Sequence, residues 1–118
     1  MIPEERMERL KIMLGEPLEI DGNYIGCVRT GNLIFTSGRG GNRFFGKLGQ
    51  ELTTEDGYEA SKEAILHILR ILKDELGDLS RIIQIVKVYG MVNSTDNFTD
   101  QPSVINGASD LLVEIFGE

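Results

Sequence analysis

The chain is short of cysteine, of positive charge and of long apolar runs. One cysteine, Cys27, cannot form an internal disulfide framework and has no Cys-x-x-Cys neighbour. A reduced, cytoplasmic protein is the fitting expectation. Lys and Arg number 12 against 19 acids, giving a net charge of −7 over 118 residues. That balance argues against non-specific nucleic-acid binding and against an anionic membrane surface. No apolar run approaches the ~18 residues of a membrane span. The N-terminal "MIPEERMERLKIML" is too charged for a secretory signal. One histidine, His67, has no second ligand at metal spacing, so zinc is not expected. His67 reads as a surface or packing residue, and Cys27 as buried and inert.

What remains has ordinary globular composition, 41% hydrophobic and 26% charged, and suits one domain over residues 1–118. Pro3 opens a short helix whose Met7, Leu10, Met13 and Leu14 share a face. Residues 1–15 form this N-terminal helical extension. "YIGCVRT" and "NLIFTS" read as a hairpin turning at Thr30-Gly31-Asn32. "RFFGKLG" is the candidate third strand of a meander. From Thr54 to Leu76, apolar residues recur at helical spacing, with Thr53 or Thr54 as cap and Gly77 as terminator. The β-branched run "RIIQIVKVYGMV", 81–92, predicts a strand covered on both faces. Asp100 and Pro102 then open a last helix.

Two features point toward a site. "SGRGG", residues 37–41, follows a strand directly. It lacks the Gly-Lys-Ser/Thr and following helix of a phosphate loop, so it is either a plain turn or a wall of a binding pocket. Asn106 interrupts an apolar helix face, which fits either a polar pocket or an exposed amide. Tyr24 and Tyr89 read as core aromatics.

"GNYIGCVRTGNLIFTSGRGG", "GKLGQELTTEDGYEASKEAILHILRILKDELGDLSRIIQIVKVYGMV" and "FTDQPSVINGASDLLVEIFGE" together resemble the RidA/YjgF family over residues 22–118. The resemblance implies an α+β, chorismate-mutase-like fold, a β-meander followed by helix, strand and helix, with the chain ending before the family's last strands. It implies a homotrimer with clefts between subunits, without pyridoxal phosphate or metal. The implied activity is hydrolysis of reactive enamines and imines to ketoacids and ammonia, so the partner is a small imino or enamino acid or the ketoacid. Tyr24, Ser37, Gly38 and Asn106 match the family's pocket positions. Arg39 stands where the family has glutamine. The family's carboxylate-gripping arginine and its catalytic glutamate have no counterpart in these residues, and neither does the strand that pairs beside 81–92. The resemblance therefore leaves two readings: an imine/enamine deaminase, or a non-catalytic small-metabolite-binding or interaction protein of the same fold. Ribonuclease, a label often attached to the family, fits the acidic charge poorly.

Overall fold

In a computed structural model, described over residues 2–15, 25–41 and 43–117, the elements run α1 (Pro3–Leu10), β1 (Cys27–Thr30), β2 (Leu33–Thr36), α2 (Thr54–Leu76), a 3-10 turn (Leu79–Arg81) and α3 (Gln101–Phe116). The arrangement is α+β: a two-stranded antiparallel hairpin with helices packed beside it.

α2 begins where a capping box closes it. Thr53 Oγ1 accepts from the Asp56 N–H at 3.1 Å, and Asp56 Oδ2 accepts from the Thr53 N–H at 2.9 Å. It ends at Gly77, whose φ of 80° favours glycine. Ile65, Leu69 and Leu72 face Ala108, Leu111 and Ile115 of α3, with Met7 and Leu79 closing the ends of this core. Two close approaches lock the helices together. Gly57 is the α2 residue against Leu48 and Val104, where a Cβ would lie 2.8 Å from each. That contact offsets the helix propensity lost by placing glycine there. The Ser61 hydroxyl reaches into α3, donating to the Val104 carbonyl at 2.6 Å and accepting from the Ala108 N–H at 3.0 Å. Those two groups are i and i+4 partners, so Ser61 inserts into the α3 ladder.

α1 is held by Glu4. Its Oε2 accepts from Lys73 Nζ at 2.8 Å and from the Leu79 N–H at 2.7 Å. Leu79 is fully buried, so removing Glu4 orphans a buried backbone donor. Glu4→Ala is expected to cost about 2 kcal/mol in urea unfolding, and Glu4→Gln, which keeps one acceptor oxygen, clearly less.

The hairpin pairs Cys27 with Thr36, Val28 with Phe35, Arg29 with Ile34 and Thr30 with Leu33. Ile34 packs toward the core, while Val28, Leu33 and Phe35 share the opposite, exposed face. The third strand expected from "RFFGKLG" does not form. Gly46 and Gly49 take φ of 128° and 89°, which breaks an extended run. Leu48 instead makes isolated bridges to Leu52 and Ser94 and buries itself against Gly57.

The strand expected over 81–92 is also absent as a strand. Residues 79–81 form the 3-10 turn, and among the described residues 83–92 make no backbone–backbone hydrogen bond. A strand is defined by its neighbour, and this segment has none among the described residues. Tyr89, expected in the core, is 77% exposed, with no layer over that side among the described residues.

Candidate functional site

β2 delivers the chain into Ser37-Gly38-Arg39-Gly40-Gly41. Ser37 is pinned at the exit: its N–H and its hydroxyl both donate to the Gly26 carbonyl, at 2.8 and 3.1 Å. Gly26 in turn lies on Ile71, where a Cβ would stand 3.0 Å from the Ile71 side chain. At the other end Gly41 lies on Ala60, with a Cβ position 2.8 Å from the Ala60 backbone. The turn therefore strides along about 16 Å of α2, from Ile71 toward Ala60.

Between these anchors the turn is open. A Cβ on Gly38 or Gly40 would meet nothing within 4 Å. Among the described residues the N–H groups of Gly38, Arg39 and Gly40 have no backbone acceptor. Arg39 is half-buried, has no ion pair or side-chain hydrogen bond among the described residues, and its Nε is shut off from solvent without a partner. A guanidinium without an acidic partner among the described residues, on a turn whose N–H groups have no backbone acceptor there, suits a planar anion. Arg43, four residues on, is already committed: it pairs with Glu63 at 2.6 Å and lies over the Phe44 ring at 5.1 Å.

Two expected site residues remain, Tyr24 and Asn106. Tyr24 lies outside the described residues. Asn106 is exposed on α3, beside Gly107, which packs on the Tyr58 carbonyl. Ser37 stands at the Ile71 end of α2, and Tyr58 to Ile71 is about 20 Å of helix. One chain therefore joins Ser37, Gly38 and Arg39 in the turn, and Asn106 stands toward the opposite end of α2 from Ser37. Charge on the turn comes from an arginine whose lack of a partner leaves no mark in the sequence.

Cys27 is half-buried rather than fully buried, with Sγ 3.8 Å from Glu75 Oε1. Burial first, then the Glu75 charge and hydrogen bond, raises its thiol above the usual value. It stays protonated at neutral pH and is a poor nucleophile. His67 Nδ1 is buried without a partner. Among the described residues no three His, Cys, Asp or Glu side chains are grouped to hold a metal. Among the described residues no helix is long and apolar enough to cross a membrane.

Asn106's neighbours supply a pH-sensitive link between helices. The Tyr58 hydroxyl donates to Asp110 Oδ2 at 2.7 Å. That bond, then burial and the nearby Asp110, Glu114 and Glu59 charges, raises the phenol above its usual value of 10.0. A raised phenol contributes stability below pH 10 and loses it as pH rises through the folded value. Tyr58→Phe is expected to cost about 1 kcal/mol or less at neutral pH and to flatten the alkaline decline of the urea midpoint.

A hairpin feeding a glycine-rich turn against a helix pair defines an α+β domain of the chorismate-mutase-like class. Over residues 5–118 the chain matches the family described as "YjgF/chorismate_mutase-like, putative endoribonuclease", and it belongs to that family. It is 36% identical over 117 residues to Protein TCP17 of Trypanosoma cruzi, covering 95% of this chain and 73% of that protein. Among solved structures it resembles one titled "putative endoribonuclease" from Shewanella oneidensis MR-1. The TM-score is 0.95 and the identity 35%, over 99% of this chain and 81% of the other. A structure from Agrobacterium tumefaciens matches with a TM-score of 0.87 and 31% identity, over 99% and 74%.

Proposed function

We propose that this protein binds small 2-imino or 2-enamino acids, or the ketoacids derived from them, by their carboxylate at the Ser37–Gly40 turn. The observation that carries this reading is Arg39: a half-buried guanidinium with no acidic partner among the described residues, beside backbone N–H groups that are also unpaired. A carboxylate accepts from both kinds of donor at once.

Family membership favours the same substrate class. In imine hydrolysis water adds to the C=N carbon, the nitrogen takes protons, and the C–N bond breaks to give ketoacid and ammonia. Of that reaction, the turn suits substrate holding. Closure of the cleft over the substrate falls to a neighbouring copy in a homotrimer, which would bring Tyr24 and Asn106 to the turn. Binding without efficient turnover is the second reading. It is favoured by the state of Glu63 on α2, which is already paired with Arg43. Ribonuclease activity is disfavoured by the net charge of −7.

Titration with pyruvate, followed by the amide shifts of Gly38 and Gly40, tests the proposal. Saturable shifts at these two residues are expected, and Arg39→Ala is expected to weaken binding about tenfold or more. Unchanged affinity in Arg39→Ala, or shifts confined to other residues, would overturn it.

A further inference from the structure

We infer that His67 forms the floor beneath the Ser37–Gly41 turn and contacts the 2-oxo or 2-imino group of the ligand whose carboxylate the turn holds. The inference rests on the carboxylate reading above and adds to it the residue that sets selectivity. The row along α2 makes the case first. Ala60, His67 and Ile71 are seven and four residues apart, so all three fall within about 40° of one line down the helix. Both ends of that line carry the turn. Gly26, which anchors Ser37, lies on Ile71, and Gly41 lies on Ala60. His67 stands between the two anchors, one helical turn or about 6 Å from Ile71. Arg39 stands two residues beyond Ser37, about 7 Å in extended chain. The two residues therefore share one level of the helix.

The glycines set the direction of Arg39. Gly38 and Gly40 take no positive φ, and a Cβ on either would meet nothing within 4 Å. Alternation along an extended run sends the Arg39 side chain the other way, toward α2. Its burial agrees. The Nε is shut off from solvent although both flanking glycines face open space.

The polar atoms then select the ligand. Arg39 Nε and His67 Nδ1 are both buried without a hydrogen-bond partner among the described residues. Buried groups of this kind take a partner from ligand or water. The Arg39 Nε–H only donates, so an acceptor belongs between turn and helix. A 2-oxo acid brings acceptors on adjacent carbons: its carboxylate for Arg39 and the turn N–H groups, its carbonyl oxygen for the imidazole. A 2-imino nitrogen suits the same ring, because a neutral imidazole donates at one nitrogen and accepts at the other. Arg39 alone would hold any small carboxylate. His67 reads the group beside it.

Pyruvate and propionate, alike in size and charge and different in the 2-oxo oxygen, are the probes. His67 is the one histidine of the sequence, so its ring signals identify themselves. Each titration is followed at the Gly38 and Gly40 amides and at the His67 ring together. Pyruvate is expected to move all three and to bind about tenfold tighter than propionate. Propionate is expected to move the two amides and leave the ring still. His67→Phe is expected to bring pyruvate down to the affinity of propionate. His67→Asn, which keeps a polar atom at the place of Nδ1, is expected to restore part of the preference. The ring signal is read in the unaltered protein, so it decides the matter even where a variant does not fold. Amide shifts without a ring shift, or a His67→Phe protein that keeps the preference for pyruvate, would overturn this inference and leave the carboxylate reading standing. No shift at Gly38 and Gly40 with either acid would overturn the carboxylate reading, and this inference with it.

Discussion

Gly107→Ala is expected to lower stability by about 3 kcal/mol, although alanine is the better helix former by roughly 1 kcal/mol. Gly107 is buried in α3 where the helix crosses α2. A Cβ there would fall on the Tyr58 carbonyl oxygen and on Ser61 Oγ. The first is backbone and cannot rotate away. The second is tied to Val104 and Ala108, so moving it also loosens α3. The only relief is a wider separation of the helices, which opens voids around Val104, Ala108 and Leu111. Urea unfolding of Gly107→Ala and of Ser109→Ala, an exposed α3 position, checks this. Ser109→Ala should stay within about 0.5 kcal/mol of the parent. A Gly107→Ala protein as stable as the parent would show that the helix crossing is looser than the contact implies.

The helices were legible in the sequence because their information is local. Thr53, Asp56 and Gly77 mark the ends of α2 by capping chemistry, and the spacing of Ile65, Leu69 and Leu72 marks its buried face. The hairpin was legible for the same reason, through Gly31 between two β-branched runs. Residues 81–92 have equally strong β character and form no strand, because pairing is a property of two segments and composition speaks for one. Tyr89 followed that error, since its burial depended on a layer that does not cover it. Gly57 and Gly107 look like flaws in helical sequence and turn out to be the sites of closest helix approach. At the site, the turn was visible as Ser-Gly-Arg-Gly-Gly. That Arg39 has no ion pair among the described residues was not, because pairing depends on which acids the fold brings near it, and composition does not say.

The chain is expected to hold its carboxylate ligand yet hydrolyse 2-iminopropanoate slowly, about a hundredfold or more below a relative that has the full family pattern. Hydrolysis needs a group that can take a proton from water and return one to nitrogen. Arg39 cannot serve, because a guanidinium stays protonated in proteins. The Ser37 hydroxyl donates to the Gly26 carbonyl and is no base by itself. Glu63 is held by Arg43, and the thiol of Cys27 is raised by burial and by Glu75. Ammonia release from the imine, generated in place by a serine dehydratase, measures the rate. The pyruvate titration run in parallel separates weak chemistry from weak binding. Slow release with intact binding fits a carboxylate-binding member of the family. Release as fast as the relative's would place a working base at the turn, and His67, with its buried and unpartnered Nδ1, would be the first residue to replace. A His67→Gln protein that kept the full rate would then move the search for the base off α2 altogether.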